Sequence, residues 1–181
     1  MKTCYFTFGR FNPPTIGHEK LIRAVEKNAG SDDYLIYPSQ TFKKPKNPLP
    51  YDYKVETMKK MFPWAKIETA ACCNTIIKVA QDMMMKDYSD IVMVVGSDRV
   101  ADFDKLLNKQ NTIDYTFNTI KVVSAGERDP DADGAAGMSA SKMREAAEQG
   151  KFTDFAKGIP STLTVQEKME LMTQVRKGMG L

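Results

Sequence analysis

The segment Ile91–Val95 is the strongest constraint on the fold, because it contains five consecutive apolar residues and is followed directly by a glycine. A strand that is apolar at every position has both of its faces covered, as in a parallel sheet with helices on each side. We therefore expect a central strand here, buried between two layers of helices.

Strand and helix patterns alternate on both sides of this segment. An aromatic-rich strand at residues 3–8 ends at Gly9, and Leu21, Ile22 and Val25 then recur at helical spacing. The other expected strands are residues 32–39, 65–69 and 118–125, and the other expected helices are residues 51–62, 74–86, 99–107, 141–150 and 165–177. This alternation predicts an α/β fold with a doubly wound parallel sheet.

Ligands of such a fold bind outside the carboxyl ends of the strands, so the loops that follow the strands are the candidate site. These loops are residues 9–17, 38–50, 96–98 and 126–141. One of them contains Asp129–Gly134, which fits the start of an EF-hand loop, but the twelfth position of that loop is Ala140 instead of the required glutamate. We therefore expect no metal ligand from the protein there.

The composition of the chain limits the classes of protein to which it can belong. The chain has 181 residues, 42% of them hydrophobic, which is enough for one compact unit. Its 26 basic and 23 acidic residues give a formal net charge of +3, which argues against general attraction to nucleic acid or a membrane. The three cysteines form neither a disulfide framework nor a zinc spacing, and no signal peptide is evident. We expect a cytoplasmic protein with no nucleic-acid or membrane partner, and a homo-oligomer stays open.

The loop Gly9–His18 contains the only histidine of the chain. A helix that begins near Gly17 directs unpaired backbone N–H groups and a partial positive charge at the strand end, where phosphate binds readily. Thr15 and His18 are three residues apart, so a hydroxyl and an imidazole converge on one anion as the helix opens. A lone histidine usually has no chemical role, but the glycines and prolines around this one favour an anion site.

A second segment, Met138–Arg144, places Ser139, Ser141, Lys142 and Arg144 at the start of another helix. Cations in a first helical turn oppose the helix dipole, at a cost of about 0.3 kcal/mol or more each. A bound anion removes this conflict. The alternative is an ordinary serine N-cap with solvated basic side chains.

The two segments together resemble the signatures of the HxGH nucleotidyltransferase superfamily, which includes nicotinamide-mononucleotide and pantetheine-phosphate adenylyltransferases and several cytidylyltransferases. The first is similar to G-x-F-x-P-x-[HT]-x-G-H, through Gly9, Phe11, Pro13, Thr15, Gly17 and His18. The second is similar to I-S-S-T-x-x-R, through Met138, Ser139, Ala140, Ser141 and Arg144. Ala140 replaces the second serine of that signature and removes one hydroxyl contact. The resemblance implies a Rossmann-like nucleotidyltransferase domain over residues 1–160. Residues 161–181 lie beyond it and are expected to form an amphipathic C-terminal helix packed on the same domain.

The resemblance also implies a reaction and a set of site residues. A nucleoside monophosphate would pass from ATP or CTP to a small phosphorylated acceptor, and pyrophosphate would be released. The implied catalytic residues are His18, Thr15 and Arg144. The implied nucleotide-binding residues are Gly9, Arg10, Phe11, Gly17, His18, Gly96, Asp98, Ser139, Ser141, Lys142 and Arg144. Mg²⁺ is expected to bind mainly through the triphosphate.

The acceptor is expected to meet the lysines of a proline-stiffened loop. Lys43 and Lys44 are assigned to substrate binding, and Lys46 and Lys54 lie in the same segment. Lysines act on phosphate as flexible point charges. The alternative for any one of them is a solvated position in a charged loop.

Several alternatives stay open. Arg10 resembles the nicotinamide-mononucleotide branch, which favours AMP transfer to that acceptor, but cytidylyl transfer and phosphopantetheine adenylylation remain possible. A nucleotide-binding or assembly module without catalysis is a third candidate. A fragment of a class I aminoacyl-tRNA synthetase is disfavoured by the short chain without a basic stripe. Asp98 either accepts hydrogen bonds from nucleoside hydroxyls or caps a helix.

Overall fold

The computed structural model of the chain describes residues 1–126 and 138–181. Within these residues the strands are β1 (Thr3–Gly9), β2 (Asp33–Pro38), β3 (Asp90–Val95) and β4 (Thr119–Ser124). The helices are α1 (Ile16–Ala29), α2 (Tyr51–Met61), α3 (Ile76–Met85), α4 (Val100–Lys109), α5 (Ala140–Glu148), α6 (Phe152–Lys157) and α7 (Val165–Gly178), and a 3₁₀ turn covers Ser97–Arg99. The expected α/β fold is confirmed.

The sheet has the strand order β2-β1-β3-β4, and every pairing in it is parallel. In register, Phe6 of β1 lies between Leu35 of β2 and Met93 of β3. All five apolar residues of Ile91–Val95 are buried, which confirms the expected central strand. Strand order reverses between β1 and β3, and ligands of doubly wound sheets bind outside the carboxyl ends of the strands at such a point.

The expected strand at residues 65–69 is wrong. Only Ile67 pairs, through an isolated parallel bridge to Ile36 on the outer side of the edge strand β2. The Glu68 carboxylate then accepts a hydrogen bond from the Ala70 amide at 3.1 Å, as the chain turns away from the sheet. A single bridge is too short to form a fifth strand, although its sequence alternates as a strand would.

The chain divides into two compact units that interleave along the sequence. The first unit consists of residues 1–9, 21–39 and 66–128, as far as these are described. It contains the sheet, α3, α4 and most of α1. Its buried core includes Phe6 and Met93 of the sheet and Val79 and Met83 of α3.

The second unit consists of residues 10–20, 40–65 and 129–181, again as far as these are described. It contains α2, α5, α6, α7 and the first turn of α1. Helix α7 begins with a capping box, in which Thr164 and Glu167 each bond the backbone amide of the other. It packs against α5 and α6. A domain of residues 1–160 with the C-terminal helix packed on it stays a prediction.

Two expectations concern residues that are not fully described. The loop of residues 126–141 is described only at its two ends, and the EF-hand-like stretch Asp129–Gly134 lies outside the described residues.

In the part of the chain that the structure describes, no helix combines the length and the apolar character needed to cross a bilayer.

Candidate active site

The loop between β1 and α1 has an uncommon backbone conformation. Phe11 has a φ of 47°, in the left-handed region that bulky residues rarely adopt. Its side chain is 1% exposed, and its ring meets the imidazole of His18 edge-on, with ring centroids 4.8 Å apart. Strained residues persist where their surroundings fix them, and they cluster at functional sites. Phe11 therefore fixes one side of the only histidine.

Two buried polar side chains, those of Asn12 and Lys54, hold the backbone of this loop in place. The Asn12 side chain accepts a hydrogen bond from the Leu49 amide at 2.8 Å and donates one to the Thr41 carbonyl at 3.4 Å. The ammonium of Lys54 donates to the Arg10 carbonyl at 2.7 Å. Asn12 is 1% and Lys54 0% exposed, and of the three bonds the one between Asn12 and Leu49 is fully shielded from water.

Thr15 determines which ring nitrogen of His18 carries a hydrogen. The Thr15 backbone amide donates to Nδ1 of His18 at 3.0 Å, and the Thr15 hydroxyl oxygen lies 3.4 Å from the same atom. Since Nδ1 accepts a hydrogen bond, the neutral imidazole holds its hydrogen on Nε2. His18 is thereby set up as a hydrogen-bond donor through Nε2.

The first turn of α1 differs from the sequence interpretation. Ile16 donates its amide to the Gly158 carbonyl at 2.9 Å, and the amides of Gly17 and His18 reach the Thr15 hydroxyl oxygen at 3.1 and 3.4 Å. The expectation that unpaired N–H groups of this helix face an anion is therefore wrong. Thr15 is 1% exposed and acts as an N-cap, so its hydroxyl supports the helix and the imidazole.

Arg144 connects the second signature to the first. Its Nη1 donates to the Asn12 carbonyl at 2.8 Å, and its Nη2 donates to the Ser141 hydroxyl at 3.2 Å. Burial, together with the nearby positive charge of Arg10, lowers the pKa of the Arg144 guanidinium below its ordinary value. Two cations held close together in this way favour a bound anion.

The two signatures also meet through the backbone. A Cβ atom at Gly17 would lie 3.3 Å from the Met138 carbonyl oxygen, so the absence of a side chain allows this close approach. Since Arg144 also bonds Asn12, residues 10–18 and 138–144 form one cluster within the second unit. Neither stretch contains a carboxylate, and together they contain Arg10, Lys142 and Arg144.

Helix α5 begins with an ordinary serine N-cap, within the segment that carries the second signature. Ser139 is the N-cap, and its hydroxyl accepts a hydrogen bond from the Lys142 amide at 3.2 Å. Ser141 is exposed, and Lys142 is half-buried. The capping alternative is thus realised at Ser139, and a role of these residues in nucleotide binding stays a prediction.

Residues that follow β1 and β3 in the first unit form a separate part of the expected site. The Gly9 carbonyl, at the end of β1, accepts a hydrogen bond from the Ser39 amide at 2.7 Å. Gly96 caps the 3₁₀ turn, Arg99 is the N-cap of α4, and Asp98 is exposed. Asp98 caps neither element, so the N-cap alternative for it is wrong. Its contact with a nucleoside stays a prediction.

The loop lysines separate into two kinds. Lys43 and Lys44 are exposed, and the backbone of Lys43 pairs with Asn47 through bonds of 2.9 and 2.8 Å. Their role in acceptor binding stays a prediction. Lys54, by contrast, is fully buried, which contradicts its interpretation as a flexible surface charge.

Burial changes the proton affinity of the Lys54 ammonium. The helical spacing of position 54 indicates this burial. Desolvation lowers the pKa of its ammonium to about 8, and Nζ lies 5.9 Å from the centre of the Tyr51 ring. Position 54 shares the apolar face of α2 with Val55, Met58 and Met61, which are buried. A lysine on such a face has a structural or chemical role within the fold.

Comparisons with solved structures agree with this architecture. A protein from Vibrio parahaemolyticus assigned as a nicotinate-nucleotide adenylyltransferase has a TM-score of 0.63 and 21% identity, over 98% of this chain and 97% of that one. A bifunctional NMN adenylyltransferase/ADP ribose pyrophosphatase from Francisella tularensis has a TM-score of 0.63 and 16% identity, over 98% of this chain and 52% of that one. The chain thus spans about half the length of the Francisella protein.

A third solved structure extends the same comparison. The nicotinic acid mononucleotide adenylyltransferase of Plasmodium falciparum, complexed with NaAD, has a TM-score of 0.59 and 14% identity, over 96% of this chain and 98% of that one. At these identities the likeness establishes the fold. No curated protein sequence gives a significant match.

A sequence profile described as cytidylyltransferase-like matches residues 6–146. The matched range includes both signatures and the cluster that they form around His18 and Arg144. Because the match extends over well more than half of the chain, this protein belongs to the cytidylyltransferase-like family.

Proposed function

We propose that this protein is an adenylyltransferase, which transfers AMP from ATP to a phosphorylated acceptor such as nicotinamide mononucleotide. A phosphate oxygen of the acceptor attacks the α-phosphorus, the bond from that phosphorus to the bridging oxygen of the β-phosphate breaks, and pyrophosphate leaves. The single observation that carries the proposal is the bond from Arg144 to the Asn12 carbonyl, since it joins the second signature to the loop of His18.

His18 would act on the α-phosphate. Its Nδ1 accepts a hydrogen bond from the Thr15 amide, which places the ring hydrogen on Nε2, and Nε2–H would donate to a phosphate oxygen as negative charge builds up. No side-chain nucleophile is needed, because this chemistry depends on positioning and charge stabilisation. Thr15 would contribute by holding the imidazole and capping α1.

The cationic groups of the second signature would bind the triphosphate tail. Arg144 donates hydrogen bonds to Asn12 and Ser141, and these bonds fix the plane of its guanidinium. With Arg10 and Lys142 it would stabilise the charge of the departing pyrophosphate. Ser139 and Ser141 would add hydroxyl contacts.

The donor set fits a metal only through the nucleotide. Residues 10–18 and 138–144 supply guanidinium, ammonium, imidazole and hydroxyl groups, and no carboxylate. Mg²⁺ prefers oxygen ligands, commonly carboxylates and phosphates. Mg²⁺ would therefore be held mainly through the triphosphate, where it would neutralise charge, and we assign no protein ligand to it.

The remaining site residues are assigned on the resemblance. Gly9 and Gly17 would allow close approach of the nucleotide to the first loop, and Phe11 would hold the imidazole of His18 in place. Gly96 and Asp98 would meet the nucleoside. Lys43 and Lys44 would hold the phosphate of the acceptor. A pyridine mononucleotide is favoured as acceptor by Arg10 and by the names of the three similar structures, one of which specifies nicotinamide mononucleotide and two its nicotinic acid counterpart.

A pyrophosphate-release assay tests the proposal. ATP and CTP are each combined with nicotinamide mononucleotide, nicotinic acid mononucleotide, phosphopantetheine and glycerol phosphate, with Mg²⁺ present. We expect release with ATP and a pyridine mononucleotide. Release with CTP and glycerol phosphate, or with phosphopantetheine, would replace the substrate assignment and keep the mechanism. Calorimetric binding of ATP without release in any combination would favour a binding module that lacks catalysis.

A further inference from the structure

Two adjacent cysteines in the first unit bring their sulfur atoms together. Neighbouring side chains of an extended segment point in opposite directions, but Cys72 and Cys73 lie in a turn before α3. The amide of Cys73 donates to Ala70 and the amide of Asn74 to Cys72, at 3.2 and 3.1 Å. As a result the two Sγ atoms are 2.8 Å apart.

A carboxylate completes this cluster. One oxygen of Asp82 in α3, Oδ1, lies 3.8 Å from Sγ of Cys72. The other oxygen, Oδ2, accepts a hydrogen bond from the Tyr37 hydroxyl at 2.7 Å and forms an ion pair with Lys86 at 3.0 Å. Tyr37 is fully buried, so it holds the carboxylate with Oδ1 towards the thiols. Ligating carboxylates of metal sites are held by such outer hydrogen bonds.

The donor atoms match one class of cation. Two thiolates and a carboxylate are ligands of Zn²⁺, whereas Mg²⁺ and Ca²⁺ prefer oxygen ligands alone. The three donor atoms lie within 4.8 Å of one another. Zinc bonds of about 2.3 Å to sulfur place two sulfurs about 3.8 Å apart in a tetrahedral site. The sulfurs are closer than this, at 2.8 Å, and because Cys72 is exposed a rotation of its side chain would supply the longer separation.

We propose that Cys72, Cys73 and Asp82 form a binding site for Zn²⁺ or a similar thiophilic divalent cation, with a fourth position open to water. The positive charge of Lys86 offsets part of the negative charge of the bound ligands. The proposal is independent of nucleotidyl transfer, since no residue of the two signatures takes part. The cation joins the loop before α3 to α3 itself, so binding stabilises the folded chain.

Titration of the full chain with Co²⁺, in the presence of a reductant that contains no thiol, tests the site. We expect thiolate-to-cobalt charge-transfer absorption that saturates at one equivalent and is abolished when Zn²⁺ displaces Co²⁺. Zn²⁺ in about hundredfold excess over its Kd should raise Tm by about 5 °C. Absence of the charge-transfer band would overturn the proposal.

Variants assign the ligands. Cys72→Ser changes an exposed side chain and should remove the band without loss of folding. Asp82→Asn should weaken Co²⁺ binding by about tenfold or more. The matched control is Cys4→Ala, which removes the buried thiol of β1 and should leave the band and the stoichiometry unchanged. A band that persists in Cys72→Ser, or that disappears in Cys4→Ala while the fold is intact, would contradict the assignment.

Discussion

The first loop, residues 10–18, and the lysine loop, residues 42–46, both follow a strand of the sheet, but they are built in opposite ways. In the first loop Phe11, Asn12 and Thr15 are each 1% exposed, and they fix the imidazole and the backbone. Every residue of the lysine loop is exposed. Fixed groups can match a transition state, whereas exposed lysines supply charge that salt screens. We therefore expect the first loop to control kcat and the lysine loop to control KM.

The largest effect is expected for His18→Ala. This change removes the Nε2–H donor from the α-phosphate, and loss of one such donor lowers turnover by about two orders of magnitude or more. Steady-state pyrophosphate release measures kcat, and circular dichroism verifies the fold. If the folded variant turns over at the rate of the unmodified protein, His18 takes no part in the reaction.

Arg144→Ala is expected to have the next largest effect. It removes a half-buried guanidinium from the triphosphate tail, and a hydrogen bond to a charged group contributes about 1.5–3 kcal/mol. We expect kcat/KM for ATP to fall by about ten- to a hundredfold. Arg23→Ala is the matched control, because Arg23 lies on the exposed side of α1 in a pair with Glu26. Equal losses in the two variants would remove Arg144 from the site.

Lys54→Met tests whether anchoring of the first loop matters for turnover. Methionine fills similar volume but cannot donate to the Arg10 carbonyl, so the backbone before Phe11 is released. We expect kcat to fall by about tenfold, the equivalent of one such bond, with little change in KM for the acceptor. A rise in KM alone would show that Lys54 contacts substrate and does not act through the loop.

The same variant gives a pH signature in stability. Burial lowers the pKa of Lys54 to about 8 from 10.5, so between these values the unfolded chain binds more protons than the folded chain. The cost of the buried charge is complete below about pH 8 and declines as pH rises towards 10.5. The unfolding free energy of the protein, relative to Lys54→Met, should therefore rise by about 1 kcal/mol per pH unit in this window. Urea unfolding of both proteins measures this difference. If the difference in unfolding free energy between them is the same at pH 7 and pH 9.5, the ammonium of Lys54 is not buried.

The sequence predicted the parts of the molecule that depend on local pattern. The five apolar residues of Ile91–Val95 were sufficient to identify β3, and the signatures identified the loops that meet at Asn12 and Arg144. The prediction of a strand at residues 65–69 was wrong, because strand pairing depends on the edge of a neighbouring strand, which local alternation does not reveal. The contact of Gly17 with the Met138 carbonyl depends on tertiary packing and has no local signal, whereas the cap at Thr15 is a local bond and leaves the predicted role of its hydroxyl in the site untested.

The smallest effect is expected for the double variant Lys43→Ala and Lys44→Ala. Exposed ammonium groups contribute screened charge to a phosphate, worth about 0.2–1 kcal/mol per pair. KM for the acceptor should rise by a few-fold with kcat unchanged, and the difference should disappear at high ionic strength. Lys46→Ala changes an exposed lysine of the same loop and serves as the control. A fall in kcat that survives high salt would show that the lysine loop becomes ordered around the reacting groups, and the contrast between the two loops would then apply only before substrate binds.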